Sequence, residues 1–135
     1  MNKIILISGV LMLPVCAFAD IQCPTAGEAG SLEETIAMIK AAKSCHDANQ
    51  IATQCAWGSS ADVQIAGAAG DICANTFRGK LTAADKTAYL TLINDCKTKH
   101  AKMQGTMWVS AEAFCEASVG KLFSDLYSPI EPPPR

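Results

Sequence analysis

Six of the seven cysteines of this 135-residue chain are the residues with the clearest chemistry. Metal sites usually place thiols two to four residues apart, whereas thiols spread along an exported chain are typical of disulfides. After Cys16 the cysteines follow at intervals of 22, 10, 18, 23 and 19 residues, without a close pair. We therefore expect three disulfides, no metal and no cofactor, although six cysteines allow fifteen pairings and spacing does not choose among them. The residues concerned are Cys23, Cys45, Cys55, Cys73, Cys96 and Cys115.

Catalytic groups form no recognisable constellation in the sequence. The two histidines, His46 and His100, belong to no nucleophile or acid–base motif. Glu112 and Glu116 are one helical turn apart, which is an ordinary spacing on a helix surface. Ser59 follows a glycine, as in a nucleophile turn, but a serine that caps a helix explains the pattern better. We predict that the protein is not an enzyme, and that His100 lies on a solvated face among Lys97, Lys99 and Lys102.

The amino terminus has the three-part layout of a secretory signal. Lys3 precedes an apolar run from Ile4 to Val15, and Ala17-Phe18-Ala19 has small residues where signal peptidase reads them. The run is shorter than the roughly 20 residues needed to cross a membrane. A lipoprotein signal ending at Cys16 is the alternative. Cleavage after Ala19 leaves an even number of cysteines and predicts a periplasmic or secreted protein without a membrane span.

This processing divides the chain into a signal peptide at 1–19, a disulfide-linked helical domain at 20–128 and a proline-rich tail at 129–135. The mature chain has 116 residues and a formal charge of −3, because Lys3 is the one charged residue that cleavage removes. It lacks the basic excess that neutralises phosphates, so nucleic acid is excluded as the expected partner.

Apolar residues recur at helical spacing, which predicts an all-α domain: a compact bundle of four or five helices stapled by three disulfides. Ser31, Thr82 and Ser110 are predicted helix caps, and Cys45 is expected near the end of the first helix. A second helix is predicted over 49–57. The third helix is predicted to bury Val63, Ala66, Gly70, Cys73 and Phe77, with a small-residue face that a neighbour approaches closely. The fourth helix is predicted to bury Tyr89, Leu92 or Ile93, Cys96 and Met103 and to end at Gly105. The last is predicted to bury Ala111, Phe114, Cys115, Ser118, Val119, Leu122, Phe123 and Leu126.

Candidate partner-binding residues lie in the predicted connecting segments. Trp57 ends one predicted helix, and Trp108 lies beside Met107 in a predicted turn over 104–109. Aromatic and methionine side chains in such segments are enriched at binding surfaces, but they also plug the ends of a thin core. The third candidate is a positive patch that could dock an acidic partner or be an ordinary solvated face, formed by Lys97, Lys99 and Lys102.

The segment Cys55-Ala56-Trp57-Gly58-Ser59-Ser60, followed by Asp62, Cys73, Tyr89, Cys96 and the stretch from Trp108 to Cys115, resembles the LprI-like lysozyme inhibitor family. The likeness covers roughly Cys45 to Tyr127, and its motifs are mainly cysteine spacing and a few aromatic residues. The family's arginine shortly before the late cysteine is absent. The resemblance implies a small exported protein of cysteine-linked helices that binds and inhibits lysozyme or a related peptidoglycan hydrolase.

Two other functions remain open at this point. One is an immunity protein that protects the producing cell from a secreted cell-wall amidase, which would have the same compartment, size and helical build. The other is a structural or stress-related envelope protein without a hydrolase partner. Genomic position beside a toxin gene, or a pull-down that lacks any hydrolase, would separate these from an inhibitor.

Overall fold

The computed structural model describes residues 21–128, so the predicted signal peptide and proline-rich tail lie outside it. Within this range the protein is all-helical, without strands, as the sequence predicts. The five helices, in chain order, are α1 (Ser31–Lys40), α2 (Cys45–Gln54), α3 (Asp62–Phe77), α4 (Ala83–His100) and α5 (Thr106–Tyr127).

The start of α4 is capped as predicted. The Thr82 hydroxyl accepts a hydrogen bond from the Asp85 amide at 3.2 Å, which satisfies one of the free amides of the first turn. The predicted capping box at Ser31 is wrong, because Ser31 is already helical and its hydroxyl donates to the Glu28 carbonyl at 2.7 Å. Gly30 precedes it with a φ of 83°, a left-handed conformation that favours glycine.

The second helix is longer at its start than the sequence predicts. Ser44 caps α2 by accepting from the Asp47 amide at 3.0 Å, so Cys45 opens this helix instead of closing the first one. The helix ends at Gln54, three residues before the predicted end at Trp57. The cap decides the boundary because Ser44 has an extended backbone that α1 cannot continue through.

Ser110 is not the cap of the last helix, which begins at Thr106. Gly105 has a φ of 108° and ends the α4–α5 connection. Ser110 and Trp108 therefore lie in the first turns of α5. Of the predicted turn over 104–109, only the residues before Thr106 lie outside the helix.

Helix α3 contacts α1, α2 and α5, while α5 contacts α2, α3 and α4. The small-residue face of α3 does permit a close approach, since a Cβ added at Gly120 of α5 would lie 3.9 Å from the Gly70 Cα and 3.7 Å from the Cys73 Cβ. Helix α4 packs mainly on α5. This arrangement leaves the α4–α5 pair as a helical hairpin on one side of α3.

Two apolar clusters form the core. The first lies among α1, α2 and α3 and contains Ile39, Ala48, Ala52, Ile65 and Ala69. The second lies among α3, α4 and α5 around three mutually contacting rings, with centroid distances of 5.2–5.7 Å, contributed by Phe77, Tyr89 and Phe123. Alanine supplies much of the first cluster, so its apolar side chains are small.

All six predicted cysteines form disulfides: Cys23–Cys55, Cys45–Cys73 and Cys96–Cys115. The second joins α2 to α3, and the third joins α4 to α5. The first attaches the segment before α1 to the end of α2. In a small core each such link stabilises the fold by restricting the unfolded chain, typically by about 2–4 kcal/mol.

Five residues of the predicted buried stripes are exposed, namely Val63, Met103, Ser118, Leu122 and Leu126. Helix α3 instead turns Ile65 and Ala69 inward, because α1 and α2 cover it on that side. On α5 the inward positions include Ala117, Gly120 and Ser124, which are small enough for α3 to lie close.

Candidate protein-binding site

The connection between α4 and α5 brings most of the predicted partner-binding residues together. We call this surface the α4–α5 tip and define it by Lys97, Lys99, Lys102, Met103, Met107, Trp108 and Val109. The turn closes through a hydrogen bond from the Met103 amide to the His100 carbonyl at 2.9 Å. Another runs from the Trp108 amide to the Gly105 carbonyl at 3.1 Å. The Cys96–Cys115 disulfide joins the two helices behind the turn, so the tip is a covalently closed hairpin end.

Three apolar side chains of the tip face solvent. Met107 is 61% exposed, and Met103 and Val109 are each 44% exposed. Single exposed apolar residues are common on protein surfaces, whereas clusters of them are rare and often mark a binding site. These three residues lie within a seven-residue stretch around one turn. Methionine is flexible and polarisable, which suits it to contact surfaces of irregular shape.

Three lysines lie on the α4 side of the tip. Lys97, Lys99 and Lys102 are all exposed, as predicted for a positive patch. Lys97 lies 3.8 Å from the Glu116 carboxylate of α5, an exposed pair that adds little stability. Among the described residues, Lys99 and Lys102 have no ion-pair partner within 4.0 Å. The positive charge available to a partner therefore comes chiefly from these two.

His100 contradicts the sequence prediction of a solvated face, because it is 8% exposed. Its Nδ1 lies 2.8 Å from the Cys96 carbonyl, and since a carbonyl only accepts, Nδ1 carries the hydrogen. The imidazole packs beside the Trp108 indole, with ring centroids 6.2 Å apart. His100 is thus buried within the tip, whereas the neighbouring lysines are exposed.

Trp108 and Trp57 are both only partly exposed, so neither is a free contact residue. Trp57 packs against the first apolar cluster together with Phe114 of α5. Its Nε1 is buried and has no hydrogen-bond partner among the described residues. The structure therefore assigns Trp57 mainly to the core, which was the alternative explanation of its position.

Asp62 connects the segment after Trp57 to the base of the tip. Its fully buried carboxylate accepts hydrogen bonds from the amides of Trp57, Gly58 and Ser59 at 2.8–3.2 Å. It also accepts one from the Ser110 hydroxyl of α5 at 2.5 Å. These four bonds compensate for removing a carboxylate from water. In the sequence Asp62 looks like an ordinary acidic residue in the first turn of a helix. The pattern Ser-Ser-Ala-Asp does not indicate that a serine of α5 donates a hydrogen bond to it.

The residues considered for catalysis are dispersed. His46 lies in the first turn of α2, exposed beside a cleft of about 480 Å³ that the end of α5 also lines. Glu112 and Glu116 are on α5, with Glu116 beside Lys97. The Ser59 hydroxyl accepts a hydrogen bond from the Ala61 amide at 3.3 Å in the turn before α3. The predicted helix cap at this serine is wrong, because α3 begins without a side-chain cap. The structure does not bring these groups together.

A second cleft, of about 210 Å³, lies between α3 and α4 above α5. Its α3 side includes Gly67 and Gly70, and its α4 side includes Tyr89 and Ile93. Burial raises the pKa of the Tyr89 hydroxyl above its ordinary value. The same cleft is also lined by Asp71, Arg78 and Glu116.

Asp85 is a carboxylate with a shifted pKa, and its surroundings explain the shift structurally. Hydrogen bonds from the Thr82 hydroxyl and then the Tyr127 hydroxyl lower the pKa of Asp85. The same bond raises the pKa of Tyr127. Both residues are partly exposed, and together they join the start of α4 to the end of α5.

Residues 21–128 contain no group of three or more histidine, cysteine or acidic side chains arranged to hold a metal ion. In the same range no helix has the length and apolar character required to cross a membrane.

Comparison with protein-family models, with curated proteins and with solved structures found no match to this chain.

Proposed function

We propose that this protein is an exported, non-enzymatic binding protein that inhibits lysozyme or a related peptidoglycan hydrolase through the α4–α5 tip. The observation that carries the proposal is the tip itself: exposed Met103, Met107 and Val109 among lysines, on a hairpin end closed by a disulfide. Exposed methionine is enriched at protein contact surfaces, which have an apolar centre and a polar rim. The resemblance to the LprI-like inhibitors supplies the class of partner.

Rigidity supports a binding role for this surface. The tip is held by the Cys96–Cys115 disulfide, by the packing of His100 on Trp108 and by the bond between Ser110 and Asp62. A contact surface that is ordered before binding loses less conformational entropy when the complex forms. The finer points of the proposal are a compact helical bundle, export to the periplasm and cleavage near Ala19. These are supported by the three disulfides and by the signal-like amino terminus.

An immunity protein against a secreted cell-wall amidase is the second candidate. The same tip would then block a different hydrolase, and the two proposals differ only in the enzyme bound. A structural or stress-related envelope protein would need no hydrolase, and the size of the apolar group at the tip favours a protein partner over that alternative.

A lysis assay tests the proposal directly. Oxidised protein beginning at Asp20 is added to cell walls with c-type, g-type and phage-type lysozymes and with a cell-wall amidase. We expect dose-dependent inhibition of at least one enzyme, lost after reduction and alkylation of the disulfides.

A matched pair of variants locates the contact. Met107→Ser removes an exposed apolar side chain at the tip, and Leu126→Ser removes one that is 66% exposed near the other end of α5. The two positions are about 28 Å apart along the helix axis. Met107→Ser should weaken inhibition while Leu126→Ser leaves it unchanged. Equal effects, or no inhibition of any hydrolase at large excess, would contradict the proposal.

A further inference from the structure

We infer that two copies of this chain associate through one face of the molecule, related by a two-fold axis beside Leu90. We call this surface the α3–α4 face and define it by Asp71, Arg78, Lys86, Tyr89, Leu90 and Glu116. The inference goes beyond the proposed function and does not depend on it, because the α3–α4 face shares no residue with the α4–α5 tip.

Helix α4 is long, yet the rest of the described chain covers little of it. It has 18 residues, of which Cys96 and His100 are the buried ones. Its backbone lies close to α5 and, within residues 21–128, to no other helix. Leu90 in its middle is 54% exposed, and the stretch from Thr87 to Asn94 around it contains no charged residue. The middle of α4 therefore presents an uncharged helix surface to solvent.

Leu90 borders one of two adjoining clefts on this face. The cleft of about 210 Å³ between α3 and α4 and another of about 390 Å³ share the side chains of Arg78 and Tyr89. The larger of the two is lined in part by Phe77, Leu81 and Leu90. An exposed apolar side chain thus lies directly beside a partly apolar recess. A contact between two identical faces requires this combination, because the same surface has to supply both members of every contact.

The charged residues of the face are divided between the two clefts. Asp71 and Glu116 line the smaller cleft alone, Lys86 lines the larger cleft alone, and Arg78 lines both. One end of the face is therefore acidic and the other end is basic. When such a face meets a second copy turned end for end, charges of opposite sign come together.

The spacing of these charges fits a two-fold axis at Leu90. Helices α4 and α5 form a hairpin that the Cys96–Cys115 disulfide joins. At about 1.5 Å per residue, Lys86 and Glu116 lie about 14 Å apart along this hairpin. Leu90 lies about 6 Å from Lys86 along α4, close to the midpoint. A half-turn about this point brings Lys86 beside the partner's Glu116 and places Leu90 against its own counterpart.

The carboxylates have capacity for these contacts. Within one copy Glu116 lies 3.8 Å from Lys97, and Asp71 lies 4.0 Å from Arg78. Exposed pairs of this kind are weak, and a carboxylate can accept from a second cation. The same half-turn brings Arg78 towards the partner's Asp71. The charge complementarity of the face with itself favours a second copy over an unrelated protein as its occupant.

Sedimentation velocity of the oxidised protein beginning at Asp20 tests the association. We expect a reversible monomer–dimer equilibrium between micromolar and millimolar concentrations. Lys86→Glu brings like charges together at both symmetric contacts and should weaken dimerisation by about tenfold or more. Lys43→Glu is the matched control, because it reverses an exposed lysine between α1 and α2, and it should change the dimer by less than about twofold.

A mixture of two variants distinguishes the two-fold contact from other association. Glu116→Lys alone should weaken the dimer as Lys86→Glu does. When the two variants are mixed, both contacts of the heterodimer again join opposite charges, so the mixture should associate more tightly than either variant alone. Circular dichroism verifies that each variant is folded.

Leu90→Asp supplies a second readout, because it brings two carboxylates together at the axis and should weaken the dimer by about tenfold or more. Leu126→Asp, at the more exposed leucine of α5, should leave the dimer unchanged. A monomer at every concentration, or a dimer that Lys86→Glu and Leu90→Asp leave intact, overturns the inference. A mixture that associates no more tightly than its components overturns the two-fold arrangement. The proposed function stands in each of these cases, because the tip lies outside the α3–α4 face.

Discussion

The hydroxyl of Ser110 in α5 donates a hydrogen bond to the buried carboxylate of Asp62 at the start of α3, 48 residues earlier in the chain. The same carboxylate holds three successive amides of the segment from Trp57 to Ser59. One acidic side chain therefore joins the α2–α3 connection, α3 and the base of the α4–α5 tip. An acidic residue in the first turn of α3 and a serine predicted to cap the last helix are thus the two ends of one tertiary contact.

The first prediction concerns this contact. Asp62→Ala leaves four hydrogen-bond donors, of which the Ser110 hydroxyl is buried, without their acceptor and should lower the free energy of unfolding by about 3 kcal/mol or more. Ser110→Ala removes one donor and keeps the three amide bonds, so its cost should be about 1–2 kcal/mol. Guanidinium unfolding with the disulfides intact measures both values. Equal losses in the two variants would mean that the amide bonds contribute little.

The second prediction concerns the order in which the disulfides are reduced. Cys23 is exposed, whereas Cys45, Cys73 and Cys96 are buried, so an attacking thiolate reaches the Cys23–Cys55 bond most easily. Limited reduction of the folded protein, followed by alkylation and mass mapping, should label Cys23 and Cys55 first. A variant with serine at both positions should lack this fast phase. Simultaneous labelling of all six cysteines would show that reduction requires global unfolding.

The third prediction is a pH dependence set by Asp85 and Tyr127. The Thr82 and Tyr127 hydroxyls lower the pKa of Asp85, so this contribution to stability is present above its ordinary value of 3.8 and is lost as the pH falls through the folded pKa. The same bond raises the pKa of Tyr127, so that contribution is present below 10.0 and is lost as the pH rises through the folded pKa.

Tyr127→Phe should therefore flatten both the acidic and the alkaline limb of the stability profile. Tyr89→Phe is the control, because burial raises the pKa of Tyr89 and this residue affects the alkaline limb alone. Urea midpoints measured across the pH range distinguish the two variants. If the acidic limb is unchanged in Tyr127→Phe, the Tyr127 hydroxyl does not contribute to the lowered pKa of Asp85.

The fourth prediction concerns two glycines with different roles. Gly67 lies within α3, and a Cβ added there meets no atom within 4 Å. Gly67→Ala should thus stabilise the protein by about 0.5–1 kcal/mol through helix propensity. Gly105→Ala has the same free space but a φ of 108°, so it should destabilise by about 1 kcal/mol or more. Thermal unfolding of the pair provides the comparison, and a loss of stability in Gly67→Ala would contradict the helical account.

Helix content was predictable because local patterns determine it. The Thr82 cap acts within one turn of α4, and its role was read correctly. Ser31 and Ser110 have the same residue type but lie inside helices, since Gly30 and Gly105 terminate the preceding segments instead. At such positions a serine and a nearby glycine can each mark the start of a helix, and the sequence pattern does not show which of the two does.

The candidate site was predictable in part. The exposed state of Lys97, Lys99, Lys102 and Met107 follows from their position around a turn, as expected. The burial of His100 does not follow, because it depends on the Trp108 indole that α5 places beside it. Trp57 likewise belongs to the core because Phe114 and the first cluster reach it.

The sequence by itself determined an all-helical domain, the identity of the six paired cysteines and the positive turn near Lys102, because periodicity, even cysteine number and local charge are properties of neighbouring residues. Only the tertiary structure decided which cysteines pair, that Asp62 and Ser110 meet, and that His100 is buried beneath the tip. Each of these depends on the approach of helices far apart in the chain, and the small faces of α3 and α5 that allow this approach do not specify its register from sequence alone.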